Sequence, residues 1–86
     1  MERGWVYMAE KKRAILPLSE VAYLKRTLMD DFQVYMHMHD SWGGGQSFTF
    51  DEPISQDVKT WLTAYFRNEQ KAADFDEDDM GLVVNQ

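Results

Sequence analysis

The sequence predicts an α+β fold in which two helices pack on one face of an antiparallel sheet. Two segments carry apolar residues at the spacing of an amphipathic helix, and the segments around them alternate between apolar and polar residues. A glycine-rich stretch separates two of the alternating segments, as expected for a turn. The chain has 86 residues, of which 44% are apolar, so we expect residues 1–86 to form a single domain with its own core.

The first predicted helix covers residues 19–31. Its apolar residues share one face: Val21, Leu24 and Leu28. Pro17 lies just before the predicted start. Ser19 suits the N-cap, because a serine oxygen can accept a hydrogen bond from an amide of the first turn.

The second predicted helix covers residues 55–71. Its apolar residues fall at i, i+3, i+4, i+7 and i+8: Val58, Trp61, Leu62, Tyr65 and Phe66. Ser55 suits the N-cap. Asp51, Glu52 and Asp57 lie near the start, where the positive end of the helix macrodipole favours anions.

Strands are predicted at residues 32–39 and 46–50, where apolar and polar residues alternate. The DSWGGG stretch between them contains turn-forming residues, so the two strands are expected to form a β-hairpin. Further strands are predicted at residues 13–18 and 81–85. The resulting order is βαββαβ, which is the ferredoxin-like arrangement.

A second arrangement, ββαββα, also fits the pattern. In it residues 4–9 pair with residues 13–18 as an N-terminal hairpin, and the acidic C-terminal part is irregular. Residues 72–80 are strongly acidic in either arrangement, and such a composition is compatible with a mobile segment.

Several classes of protein are excluded by composition. The chain has no cysteine, which excludes disulfide scaffolds, thiolate zinc sites and thiol nucleophiles. The N-terminal residues lack the layout of a signal peptide, and no apolar run approaches the roughly 20 residues of a membrane span. We therefore expect a cytoplasmic protein with no cofactor and no membrane contact.

Candidate metal and catalytic groups are few. His37 and His39 project to the same face of a predicted strand, but a closed metal site needs ligands beyond two imidazoles. Asp74, Asp76 and Asp78 have the first spacings of a calcium loop, without the glycine and the glutamate that complete it. The prediction is therefore of no metal site and no enzymatic activity, with His37 and His39 as the weak metal candidates.

Charge is distributed unevenly along the chain. Residues 1–29 carry six basic and three acidic side chains, a net of +3, whereas residues 30–86 carry three basic and twelve acidic side chains, a net of −9. The densest acidic run and a nearby acid are the predicted partner-binding residues: Asp74, Asp76, Glu77, Asp78, Asp79 and Glu69. The alternative is a solvated segment that only keeps the protein dissolved.

An anionic surface of this kind suits a cationic groove on another protein, because complementary fields speed association and set specificity. Trp42, in the glycine-rich turn, is a candidate anchor for the contact. The sequence thus predicts a small non-enzymatic inhibitor or regulator that docks onto the nucleic-acid-binding groove of a partner. Phage-borne inhibitors, antitoxins and immunity proteins are of this type.

The runner-up hypothesis is a nucleic-acid-binding module that uses the sheet face and a basic cluster. Its candidate residues are Tyr35, His37, Lys11, Lys12 and Arg13. Base stacking would need several aromatic rings on the open face, and they are there only if Phe48 and Phe50 point away from the helices. The net charge of −6 argues against direct nucleic-acid binding. An open sheet face also allows a homodimer.

Overall fold

Each helix is followed by two strands in the part of the chain that the computed structural model describes, residues 12–40 and 45–86. In chain order the elements are α1 (Leu18–Phe32), β1 (Met36–Asp40), β2 (Gln46–Phe50), α2 (Gln56–Asn68), β3 (Ala72–Phe75) and β4 (Gly81–Asn85). The α+β class, with two helices and an antiparallel sheet, is confirmed.

The four strands form one sheet in the order β1-β2-β4-β3, and every neighbouring pair is antiparallel. Met36 pairs with Phe50 across β1 and β2, and Leu82 of β4 lies opposite Phe48 on one side and Phe75 on the other. This register puts the large apolar side chains of all four strands on one face, because side chains of a strand alternate between its two faces.

Both helices and this sheet face share a single core. Each helix buries three residues at helical spacing: Val21, Leu24 and Leu28 in α1, and Val58, Leu62 and Phe66 in α2. The sheet contributes Met36, Phe48, Phe50, Leu82 and Val84. The helices also contact each other, since the rings of Tyr23 and Tyr65 stack at 6.0 Å and those of Phe32 and Trp61 meet edge-on at 6.3 Å.

The predicted ferredoxin-like order is not confirmed, because the described order is αββαββ. Residues 13–18 do not form a strand: Arg13 makes an isolated bridge to Asn85, and α1 already begins at Leu18. Pro17 explains the change, since it has no N–H to donate and its carbonyl accepts from the amides of Glu20 and Val21. Pro17 is therefore the N-cap, and the prediction of Ser19 as N-cap is wrong.

The strand β3, Ala72–Phe75, is not predicted by the sequence, because its residues lie within an acidic segment. Its two inward residues, Ala73 and Phe75, pack against the core and pair with β4. The irregular acidic C-terminus of the alternative arrangement is therefore wrong, because β3 and β4 occupy it. The hairpin of that arrangement involves residues 4–9, which lie outside the described residues.

The remaining boundaries shift by a few residues. The first helix extends to Phe32 and is followed by Gln33 in the left-handed conformation (φ 59°), so β1 begins at Met36 and not at residue 32. The second helix ends at Asn68 instead of residue 71, and its predicted cap is confirmed, since the Ser55 hydroxyl accepts from the amide of Val58 at 3.3 Å. Neither described helix is long and apolar enough to cross a membrane.

Candidate functional site

The connection between β2 and α2 is hydrogen-bonded to the turn between β3 and β4. The amide of Phe50 donates to the carbonyl of Met80 at 2.9 Å, and the amide of Ile54 donates to the carbonyl of Asp79 at 3.0 Å. Asp51 and Glu52 lie between these two contacts. Two acidic stretches that are far apart in sequence therefore meet at one end of the sheet.

The acidic run from Asp76 to Asp79 forms the tight turn that joins β3 to β4. The turn is closed by backbone hydrogen bonds from Asp76 to Gly81 at 3.0 Å and from Asp79 to Asp76 at 3.1 Å. The Asp78 carboxylate also accepts from the amide of Met80 at 3.2 Å. Asp76, Glu77 and Asp78 are exposed at this turn.

Both helices add carboxylates at the same end of the molecule. Asp30 and Asp31 are exposed in the last turn of α1, and Asp57 is exposed in the first turn of α2. These two helix ends lie together, because Phe32 and Asp57 line one pocket with Asp51. We call this group of carboxylates the acidic end: Asp30, Asp31, Asp51, Glu52, Asp57, Asp76, Glu77, Asp78 and Asp79.

One ion pair offsets part of the charge at the acidic end, since Lys59 Nζ lies 3.0 Å from Asp79 Oδ1. His37 Nε2 is hydrogen-bonded to Asp51 Oδ1 at 2.9 Å. Helix polarity acts in two directions here: the positive N-terminus of α2 favours the neighbouring carboxylates, and the negative C-terminus of α1 opposes Asp30 and Asp31. No basic residue stands in that last turn of α1.

A pocket of about 420 Å³ opens at the acidic end, between the last turn of α1 and the first turn of α2. Its apolar lining comes from both helices and from the segments around the sheet: Phe32, Val34, Tyr35, Phe50, Ile54 and Val58. Three carboxylates, those of Asp51, Glu52 and Asp57, also line it. The pocket is therefore apolar in its depth and anionic at its exposed residues.

His37 connects two of the residues that line this pocket, although it does not line the pocket itself. Its ring stacks on that of Tyr35, with centroids 4.9 Å apart and planes 9° from parallel. Its Nε2–H donates to the Asp51 carboxylate. One imidazole thus contacts both an aromatic ring and a carboxylate.

Not all of the predicted partner-binding residues lie at the acidic end. Asp74 points to the other face of the sheet and accepts a hydrogen bond from the Asn85 side-chain amide. Glu69 follows the C-terminus of α2, which lies at the opposite end of the sheet from the acidic turn. Trp42 lies outside the described residues.

Glu69 belongs to a small cluster with Glu20, Tyr65 and Lys71. The Tyr65 hydroxyl donates to Glu20 Oε2 at 2.7 Å, and Lys71 Nζ lies 3.4 Å from Glu69 Oε1. Partial burial raises the pKa of Glu20, whereas a hydrogen bond from Glu20 lowers the pKa of Glu69. Burial and the Glu20 carboxylate raise the pKa of Tyr65. The cluster joins α1 to the end of α2 and is a packing feature between the helices.

The residues of the nucleic-acid hypothesis are divided between the two ends of the sheet. Phe48 and Phe50 are buried against the helices, so neither is available for base stacking on the open face. Tyr35 and His37 lie near the acidic end, whereas Arg13 bridges to Asn85 at the opposite end. Lys12 neighbours Arg13, and Lys11 is outside the described residues. Among the described residues, Lys12 and Arg13 are therefore not brought together with the rings of Tyr35 and His37.

The two histidines make separate side-chain contacts. His37 pairs with Asp51, and His39 is hydrogen-bonded to the hydroxyl of Thr49 at 2.8 Å. Within residues 12–40 and 45–86, no group of three or more His, Asp or Glu side chains is arranged to hold a metal ion.

Sequence reasoning missed two parts of this arrangement, namely Asp30 with Asp31 and the pocket. A signal for the first was present: antiparallel helices bring the end of one next to the start of the other, and both ends here are acidic.

Comparison with known proteins found no matching family model, no matching curated protein and no matching solved structure.

Proposed function

We propose that the protein is a small non-enzymatic interaction module whose acidic end docks onto a basic surface of a partner protein. The most fitting surface is a groove that otherwise holds nucleic acid, since such a groove presents a positive field over an extended area. Occupation of the groove would make the protein an inhibitor or regulator of that partner.

The observation that supports this proposal is the convergence of separate chain segments on one end of the fold. The acids come from the end of α1, the β2–α2 connection, the start of α2 and the β3–β4 turn. A solvated acidic tail would need only one such segment. Convergence of several segments gathers carboxylates at one end of a folded scaffold, which is the form that a recognition surface needs.

Asp30 and Asp31 strengthen this argument. Carboxylates at the negative end of a helix oppose the macrodipole and cost stability, whereas basic residues there would contribute to it. Two exposed acids in the last turn of α1 are therefore not explained by folding. They are explained if the negative field at this end serves recognition.

The proposal is tested with a variant that reverses charge in the turn, D76K/E77K/D78K. These side chains are exposed, so the fold is expected to be kept, and loss of the Asp78 acceptor for the Met80 amide should cost no more than about 1.5 kcal/mol. Tagged protein is used to capture partners from lysate of the native host, and the bound material is then challenged with salt or with duplex DNA. The wild-type protein is expected to retain a partner that salt and DNA both release.

A control places three lysines elsewhere, by A22K/A64K/N68K on exposed positions of the two helices; it raises the net charge by three, whereas the turn variant raises it by six. The control is expected to retain the partner that the turn variant loses. If the turn variant captures as much as the wild type, or if DNA releases nothing, the proposed docking is wrong. If purified protein itself shifts DNA in a gel, the nucleic-acid-binding hypothesis replaces it.

A further inference from the structure

We infer that the pocket at the acidic end is an arginine-binding site, which takes the guanidinium group of a side chain from the partner. The inference rests on the proposed function and deepens it: it names the group on a basic surface that this pocket recognises. It is carried by the combination of an exposed aromatic ring, a pre-positioned carboxylate and an apolar floor within one cavity.

The lining of the pocket suits a long side chain with a charged end. The floor is formed by the buried side chains of Phe50, Ile54 and Val58, against which the methylenes of an arginine can pack. Asp51 and Glu52 are exposed at its mouth, where a cationic group keeps contact with water. The volume of about 420 Å³ accommodates one such side chain with room for solvent.

His37 supplies the element that distinguishes this pocket from a simple acidic patch. It packs on one face of the Tyr35 ring and donates to the Asp51 carboxylate, so both groups are held without a ligand. Tyr35 is 57% exposed and lines the pocket. A planar cation can therefore stack on the ring while a carboxylate accepts its N–H groups, and neither group has to be reordered.

These contacts favour arginine over the other candidates. A guanidinium is planar, is weakly hydrated and forms paired hydrogen bonds with a carboxylate, whereas the ammonium group of lysine does not stack in this way. Anions are repelled by Asp51, Glu52 and Asp57. The N-terminus of α2, which would otherwise attract an anion, already has the Ser55 hydroxyl on the amide of Val58.

The test uses the whole ¹⁵N-labelled protein and three capped tripeptides that differ only at the central residue: arginine, lysine or citrulline. Citrulline has nearly the shape of arginine without its charge. Titration by NMR is expected to show amide shifts at Gln33, Tyr35 and Asp51 with the arginine peptide. We expect weaker shifts with the lysine peptide and none of that pattern with citrulline. Equal shifts with arginine and citrulline, or shifts spread evenly over the surface, would overturn the inference.

Two variants test the named contacts. Y35L removes the ring face and D51N removes the carboxylate charge, and each is expected to weaken the arginine peptide by about two- to fivefold. Because Tyr35 and Asp51 are exposed, both variants should keep the wild-type melting temperature. D78N, which removes the same charge outside the pocket, is the matched control and should leave the peptide's affinity within about twofold.

The outcome separates this inference from the proposed function. If the arginine site is correct, Y35L loses the preference for the arginine peptide over the lysine peptide. Y35L then still captures the cationic partner, but with lower affinity than the wild type, whereas D76K/E77K/D78K loses the partner because its charge is reversed. If Y35L and D51N bind the arginine peptide like the wild type while the turn variant still loses the partner, the docking proposal stands and the arginine site is wrong.

Discussion

The two ends of the sheet use polar side chains in opposite ways. At the end away from the acidic turn, Gln46 is buried, and its side-chain amide bonds twice to Leu16: Oε1 accepts from the backbone N–H at 2.9 Å and Nε2 donates to the carbonyl at 3.2 Å. Arg13 donates to the Gln46 carbonyl at 2.9 Å. We call this end of the sheet, with Arg13, Leu16 and Gln46, the tied end. At the acidic end, the carboxylates of Glu77 and Asp30 are exposed to solvent.

Polar groups that hold the fold and polar groups that are available to a partner therefore lie at different ends of the sheet. The segment before α1 reaches β4 through one isolated bridge, and the Gln46 amide binds the next part of it in place of a continued strand ladder. At the tied end, Arg13 and the buried Gln46 side chain are bonded to backbone groups. At the acidic end, Asp79 and Asp78 have partners in Lys59 and the Met80 amide, whereas Asp30 and Asp31 oppose the macrodipole of α1.

The largest stability effect is expected for Q46L. The substitution keeps the approximate volume but leaves the N–H and C=O of Leu16 without their buried partner, which costs about 1–3 kcal/mol. Urea unfolding measures the loss. The neighbouring S47A changes a half-buried hydroxyl on the other face and should stay within about 0.5 kcal/mol of the wild type. Equal losses in both variants would remove the special role of the tied end.

A smaller effect, of opposite sign, is expected for Q70G at the end of α2. Gln70 has φ 62° and lies where the helix ends. The amide of Gln70 donates to the carbonyl of Arg67, and the amide of Lys71 donates to the carbonyl of Phe66. Glycine adopts this left-handed conformation without steric cost, so stability should rise by about 0.5–1 kcal/mol. Q70A retains the strain and should show no gain in the same melting experiment.

D31K tests whether charge at the acidic end opposes folding. A lysine in the last turn of α1 complements the macrodipole, so stability is expected to rise by about 0.3–1 kcal/mol at low salt and less at high salt. Partner capture should fall in the same variant. D40K, at the tied end of β1, should change stability less and leave capture intact. A loss of stability in D31K would show that Asp31 has a structural contact of its own.

The smallest effect is a pH dependence in the Glu20 cluster. Since the pKa of Glu20 is raised in the folded state, its stabilising contribution is present at low pH and is lost as the pH rises through that pKa. E20Q keeps the side chain neutral, so its melting temperature should exceed that of the wild type at pH 7 and match it near pH 3. We expect a difference below about 1 kcal/mol.

Glu69 provides the opposite sign in the same cluster. Its pKa is lowered in the folded state, so its contribution is present above its ordinary pKa and is lost as the pH falls. E69Q should therefore melt below the wild type at pH 7 and approach it in acid. Parallel behaviour of E20Q and E69Q across this range would contradict the assignment of the two carboxyl groups.

Much of the fold was readable in the sequence because local patterns decide it. The apolar spacing of α2 and its Ser55 cap predicted that helix, and alternation with a glycine-rich turn predicted the β1–β2 pair. The conformation of residues 13–18 could not be predicted from the sequence. Whether this segment forms a strand or leads into a helix capped by Pro17 depends on its contact with Gln46, which is distant in sequence. The strand β3 depends in the same way on its pairing with β4.

The sequence by itself determined the amount of negative charge and its bias toward the C-terminal part of the chain, because charge is a property of composition. Only the tertiary structure decided which carboxylates act together. It moved Asp74 and Glu69 away from the acidic turn and brought Asp30, Asp51 and Asp57 to its end of the sheet. The physical reason is that sheet pairing and antiparallel helix packing set distances between side chains, and those distances determine the field that a partner meets.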